Sequence, residues 1–571
     1  MRSTATWPAL CVAGLLIAAG WMGWAGLSVA GGTGLATGVL LCFLARRGWP
    51  ENGTISRAVL LPAAAVVGTH AFAAIQSRLP PGVDAAFHCT VALHFANTGR
   101  ITPDLRPLED LTLNYPTGSH FLVASLTRLA NALKLDVPPH LAFKLWFPIA
   151  AAAATLTVAC FEPVLGSGTG VATGWVYALG IYQISLFPYT WGGLPSLLAM
   201  WLVMAGTLYL HALPTTRGSL IAGLLWGGAM LAHHHTAVAL VIGAAGVALH
   251  LWKRWRETAR QTVTAVSVAV LASAPYWWRL VLNLPSLGST GMLGYVEPFQ
   301  FPWTLVWQMG PIFLVGSVVF ALRRQPSGKC VRYLTALGVT WLVVFLVLDY
   351  GIRAASGLVM GRAVTPFTPS RFLFDLQWAF CPLVGAAFAR LSRGHSIAVL
   401  AIACVATGIW GTWDRWTGTP LSALPRWIAE GRLRRAEGTI LREDFVLEPG
   451  AYVARVAPPR AVILGTPGQV WLTYCTRRES TCLFLPISEP ISDRIRLKWR
   501  MLQRPTARTW QAWSRSLGDV PIWAILPAHI TLPGEQVLRV FHPLKVVRLW
   551  PPSAPERPPK VLGRPSGRPA R

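Results

Sequence analysis

The sequence predicts an all-α polytopic membrane bundle of about 12–14 transmembrane helices, followed by a small extracytoplasmic α/β domain. Three observations predict this. Of 571 residues, 53% are hydrophobic and only 13% are charged, whereas a soluble domain usually carries about 25% charge. Apolar runs long enough to cross roughly 30 Å of hydrocarbon recur along most of the chain. From Asp414 onward those runs shrink to strand length and charge returns, with 25 of the 50 basic residues and 12 of the 23 acidic ones.

Candidate spans fall at 7–25, 28–45, 57–76, 139–160, 168–187, 191–212, 217–235, 236–252, 258–282, 303–322, 333–349, 372–390 and 395–412. The run from Ala9 to Ala30 has the length of a signal peptide. A second run follows without a clear cleavage site, so the first is read as retained. Basic residues cluster between spans: Arg46–Arg47, Lys253/Arg254/Arg256/Arg260, Arg323–Arg324/Lys329/Arg332 and Arg390/Arg393. With Arg2 inside, every cluster is cytoplasmic, as the positive-inside rule expects. The net charge of +27 is thus a topology signal, and no nucleic-acid partner is inferred. Loops 77–138, 284–302 and 350–371 then lie outside, with everything after Trp413. The apolar segment Phe121–Leu135 would reverse all later sides if it crossed, so the basic clusters make it interfacial.

The division expected is a transmembrane domain over 1–413, an extracytoplasmic domain over 414–551 and a Pro/Arg-rich disordered tail over 552–571. Strand-like runs are "AVILG" (461–465), "VWLTY" (470–474), "CLFLP" (482–486), "PIWAIL" (521–526), "VLRVF" (537–541) and "VVRLW" (546–550), with polar helical stretches at 421–438 and 490–518. Cys475 and Cys482 flank "TRREST" between two of these runs, and a hairpin there brings them within disulfide range. The pair reads either as a disulfide or as two half-buried thiols. No CxxC, Walker, GxGxxG or HExxH pattern occurs, so redox, nucleotide and zinc-hydrolase chemistry lack a local signature.

Acidic residues are scarce before the final domain, and four of them, Asp84, Asp104, Glu109 and Asp110, fall within 27 positions of the first large loop. That loop reads either as solvated surface or as an acidic site at the membrane face. Asp84 and His88 share a helical face at i and i+4 and can hydrogen-bond. His94 lies on another face. "LAHHHTAVAL" places His233, His234 and His235 at a break between apolar runs, on the same side as Asp84. Adjacent helical residues point about 100° apart, so one or two of the three face a cavity; a polar helix cap is the competing reading. "YTWGGLPSL" (189–197) reads as a tight re-entry turn. In "MGRAVTPFTPSRFLFDLQ", Arg362 and Arg371 lie outside near the start of a span, where guanidinium donors suit a phosphate or ordinary lipid headgroups. Asp375 sits one turn after Arg371, in position to orient it.

The stretch "VDAAFHCTVALHFANTGRITPD…LNYPTGSHFLVASL" resembles the first outside loop of the GT-C membrane glycosyltransferases. There an acidic residue follows the first core span, and "YPxG" leads into an apolar helix. The resemblance covers about residues 57–412 in architecture and Asp84 to Gly118 in motif. It implies an integral membrane enzyme of the cell membrane that moves a sugar, with inversion, from a polyprenyl-phosphate donor to an extracytoplasmic glycan, lipid or protein acceptor. Asp84 matches the catalytic acid position, and Glu109 or Asp110 the second acidic residue of some members. His88, Tyr115, His233, His234, His235, Arg362 and Arg371 would bind substrate. The WWDxG signature of oligosaccharyltransferases is lacking, since "YWWRL" (276–280) only looks like it, which disfavours transfer to an asparagine sequon. Two spans also precede the core. A divalent metal near the acidic loop is compatible with this class, though no ligand signature identifies one. Two other functions fit a bundle of this composition: a transporter or flippase for a lipid-linked or anionic substrate, and a non-catalytic envelope-assembly protein. A transporter should show internal repeats and polar groups at mid-membrane, and neither is evident.

Overall fold

A computed structural model describes residues 7–24, 57–180, 192–288, 312–391, 443–481 and 512–549, less short stretches within them. Fourteen helices form the bundle among these residues: α1 Trp7–Trp24, α2 Leu60–Ile75, α3 Val83–Thr98, α4 Gly118–Ala132, α5 Pro139–Ala159, α6 Thr169–Leu179, α7 Leu194–Ala212, α8 Thr216–Ala232, α9 His234–Leu251, α10 Arg256–Ala272, α11 Ala274–Gly288, α12 Lys329–Leu346, α13 Arg353–Met360 and α14 Pro369–Phe388. Five segments are long and apolar enough to cross a membrane: Arg57–Ile75, Pro139–Leu165, Leu194–Ala212, His234–Leu251 and Lys329–Ser356. The pair α10/α11 qualifies as a sixth, bent by 67°. The span expected as one helix over 258–282 is therefore broken. Expected spans 28–45 and 395–412 lie outside the described residues.

Local sequence explains the helix ends. α5 and α7 each carry proline in the first turn, where its missing N–H costs nothing. Thr215 caps α8 by accepting from Gly218 N. Inside the bundle, where no water satisfies polar groups, hydroxyls bond back one turn, as Thr155 does to Ala151 O and Thr207 to Val203 O. Buried tryptophans find acceptors too: Trp226 donates to Val203 O and Trp341 to Ala239 O. α7 is the central column, buried from Leu194 to Leu210, with α8 packed along it and α10 behind α8.

α4 is the segment read as interfacial. Its inner face is buried, while Leu129 and Leu133 at its far end are exposed, and it is not among the spans.

The last part folds around a four-stranded sheet of order β1-β2-β4-β3, with β1 Val462–Gly465, β2 Ile522–Pro527, β3 Glu535–Phe541 and β4 Leu544–Leu549. β1 and β2 are parallel, and the other pairs are antiparallel. One sheet face packs on α15 Leu447–Val456 and α16 Leu472–Thr476. Arg478 ties the end of α15 down by donating to Ala457 O and Pro458 O. "VWLTY", expected as a strand, instead contributes most of α16, because a short apolar run does not distinguish a buried strand from a buried helical turn. Helix α15 was not foreseen. "CLFLP" and the stretch 421–438 lie outside the described residues, as does most of 490–518.

α16 joins the two parts. Trp471 and Tyr474 belong to the bundle's own apolar core, α16 packs on α3, and the Tyr474 hydroxyl bonds His140 Nδ1 at 2.8 Å.

Candidate active site at the first loop

Three segments meet at Asp84: the first turn of α3, the turn before α7 and the first turn of α14. Asp84 itself is half-buried. The turn before α7 packs directly on it: Gly192 has φ +92, and a Cβ there would lie 2.2 Å from Ala85 N. Only glycine allows that approach. The same turn supplies Ser196, whose hydroxyl receives a bond from Arg371 Nη1 at 3.3 Å. Arg371 enters from the first turn of α14. Its guanidinium acts on the Asp84 carboxyl. Among the described residues no hydrogen-bond donor reaches that carboxylate. Burial pushes the Asp84 carboxyl up to about 6, against the opposing pull of Arg371.

A histidine and tyrosine cluster lines the adjoining wall. His88 Nδ1 pairs with His120 Nε2 at 2.8 Å, so the i,i+4 spacing to Asp84 does not supply its partner. Burial and neighbouring cations hold His88 well below the usual imidazole range, and burial takes His120 down to about 3. Both rings are neutral near pH 7, and one donates to the other. Tyr115 lies 5.4 Å from His88 and 5.0 Å from His234, centroid to centroid. "YPTG" achieves this because Gly118 lets α4 start against α8: a Cβ there would sit 2.6 Å from Leu231 O.

The three consecutive histidines divide their roles. His233 lies in extended conformation between α8 and α9 and caps α9, accepting from Thr236 N. With Nδ1 taken as that acceptor, its Nε2 faces Ser196 Oγ at 3.2 Å. His234 turns to Tyr115. His235 points the other way and bonds Asp375 Oδ2 at 3.2 Å. Asp375 thus bonds His235, while Arg371, one turn before it on the helix, acts on the same carboxylate through its charge. The cap reading of the histidine step holds at His233, and His234 packs on Tyr115.

His94 lies apart, beside Asp104, and Asp104 is paired with exposed Arg106. Glu109, Asp110 and Arg362 lie outside the described residues, as does Cys482, so the Cys475–Cys482 pairing stays an expectation. Ser196 and His120 were missed. Among the described residues no group of three or more His, Cys, Asp or Glu side chains is placed to hold a metal ion, so no step is derived through one.

No protein-family model matches the sequence, and no curated protein matches it significantly. Solved structures do. The apo oligosaccharyltransferase of Archaeoglobus fulgidus superposes with a TM-score of 0.50 at 10% identity, over 82% of this chain and 69% of that one. Arabinofuranosyltransferase AftD from mycobacteria gives 0.52 at 14% identity, over 87% of this chain. This chain has the GT-C fold. It spans only 40% of the length of AftD, and at these identities the GT-C likeness is one of architecture. The GT-C bundle is a multi-pass membrane architecture, in agreement with the apolar helices here.

Proposed function

We propose that the protein is an inverting glycosyltransferase that moves a sugar from a polyprenyl-phosphate donor to an acceptor hydroxyl outside the cytoplasm. The observation that carries this reading is the Asp84 carboxylate, without a hydrogen-bond donor among the described residues and under the charge of the Arg371 guanidinium, in the stretch that resembles the first outside loop of GT-C enzymes. A carboxyl near pKa 6 is a competent base close to neutral pH.

In the reaction, Asp84 accepts the proton of the acceptor hydroxyl. The acceptor oxygen forms a bond to the anomeric carbon from the face opposite the phosphate. The bond between that carbon and the phosphate oxygen breaks, and polyprenyl phosphate leaves with the electron pair. Arg371, held by Ser196, stabilises the charge that develops on the phosphate. Tyr115 and His234 form the wall against the sugar, and the neutral His88–His120 pair offers it hydrogen bonds without adding charge. Glu109 or Asp110 is assigned as the second acidic residue of the first loop, and Arg362 as an aid to Arg371 at the phosphate.

The test is transfer by purified protein in lipid nanodiscs with a panel of radiolabelled polyprenyl-phosphate sugars and a membrane extract as acceptor source. Wild type should transfer one donor of the panel, and Asp84→Asn should lose about 10²- to 10⁴-fold. Undiminished transfer by Asp84→Asn, Glu109→Gln and Asp110→Asn alike defeats the reading.

A further inference from the structure

Thr117 and Leu231, each two residues from a residue of the site wall, Tyr115 and His233, line a cavity of about 170 Å³ that the reaction above leaves unused. Its other walls are Gly20 and Gly23 of α1, Ile101, and Pro275, Tyr276 and Arg279 of α11. Protein interiors leave few voids larger than a water molecule, and this one has room for several at about 30 Å³ each.

The cavity follows from specific features of the fold. α10 and α11 bend by 67° at Ser273. The bend is held in place: Trp21 Nε1 of α1 donates to Ala272 O at 3.0 Å, and Ser273 Oγ receives Trp277 Nε1 at 2.9 Å. α1 thus grips the break, while Gly20 and Gly23 contribute no side chain at the point of approach. Among the described residues no carboxylate lines the space, and its polar groups are a guanidinium, a phenol and a hydroxyl. A guanidinium presents five N–H donors, so bonds it makes to protein still leave donors for a ligand.

We infer that this cavity is a second anion subsite, which holds a phosphate or carboxylate carried by the acceptor. The assignment to the acceptor rests on the proposed glycosyl transfer. There the donor phosphate belongs to Arg371, and the second anion belongs to the other substrate.

The experiment reads anion binding apart from catalysis. Thermal unfolding of the full chain in detergent is followed against inorganic phosphate and, separately, acetate at constant ionic strength. Wild type should be stabilised in a saturable manner. Arg371→Ala should keep a phosphate response, whereas Arg279→Gln should weaken the response by about tenfold or more in affinity, and Arg279→Lys should restore part of it. A response to phosphate alone assigns a phosphate-bearing acceptor; a response to acetate as well assigns the wider class that includes carboxylates. A response that Arg279→Gln leaves undiminished in the Arg371→Ala background, or that vanishes in Arg371→Ala alone, overturns the subsite. In the transfer assay, Arg279→Gln should raise the apparent KM for the acceptor extract and leave the donor KM unchanged; a raised donor KM with an unchanged acceptor KM overturns the acceptor assignment. Wild type that shows the Arg279-dependent response yet transfers no sugar upholds the subsite and removes the transfer reading. Sugar transfer with a phosphate response indifferent to Arg279 does the opposite.

Discussion

Replacing Asp84 by Asn should make the protein inactive and, above pH 6, more stable. The carboxyl rests at about 6 in the folded chain against an ordinary 3.8, chiefly because burial penalises its charge. A pKa raised on folding means that the folded protein holds the proton more tightly than the unfolded one. The carboxyl therefore costs nothing below about pH 4, and its cost grows as pH rises to about 6, where it is complete. From 3.8 to about 6 the full cost is roughly 3 kcal/mol. Asp84 is half-buried, so solvent screening reduces this to roughly 1–2 kcal/mol. Asparagine keeps the shape and removes the charge. Unfolding followed by tryptophan fluorescence in detergent should show Asp84→Asn melting above wild type at pH 7.5, with the two curves converging at pH 4. Equal or lower stability at pH 7.5 refutes the claim that a desolvated carboxylate is held there, and with it the reason for calling Asp84 a base.

Four further outcomes follow from the same geometry. The wild-type rate with limiting substrate should rise with pH through about 6 and then level, since the base must lose its proton; a flat profile from pH 5 to 8 contradicts this. Arg371→Ala should raise the donor KM at least tenfold, while Ser196→Ala costs several-fold less, because Ser196 only holds the guanidinium. Gly118→Ala should destabilise by about 1–3 kcal/mol, since the added methyl meets Leu231 O at 2.6 Å; an unchanged melting temperature argues against that close approach. Tyr474→Phe removes the hydroxyl bonded to His140 and should cost about 1 kcal/mol, visible as faster proteolysis of the C-terminal domain.

Much of the site was legible because a membrane chain uses polar residues sparingly. Asp84, His233–His235 and Arg371 stand out against apolar surroundings at span ends, and the fold does bring them together. Ser196 carries no such mark: a serine after "GGLP" reads as turn chemistry, and only its bonds to Arg371 and His233 reveal its role. His120 was hidden two residues into an apolar helix, where its pairing with His88 depends on how α3 and α4 cross. The bond between His235 and Asp375 was hidden for a related reason, since one-turn spacing shows only neighbours on the same helix. The break between α10 and α11 has no proline at the bend itself, and Ser273 and Pro275 read as tolerable within one span. α16 was misread because five apolar residues show no period.

The docking of α16 on α3 also has a consequence in time. The helix that carries Asp84 is complete by Thr98, whereas its buttress ends at Thr476. At about 5–20 residues per second, a ribosome takes roughly 20–75 s to cover that interval. Until then α3 lacks Tyr474 and Trp471 beneath it, and nascent chains accumulate with the first loop unsupported. Products of premature termination share that state permanently. The arrangement therefore couples the two parts in time: the helix that carries Asp84 gains its full support only in molecules whose synthesis has passed Thr476.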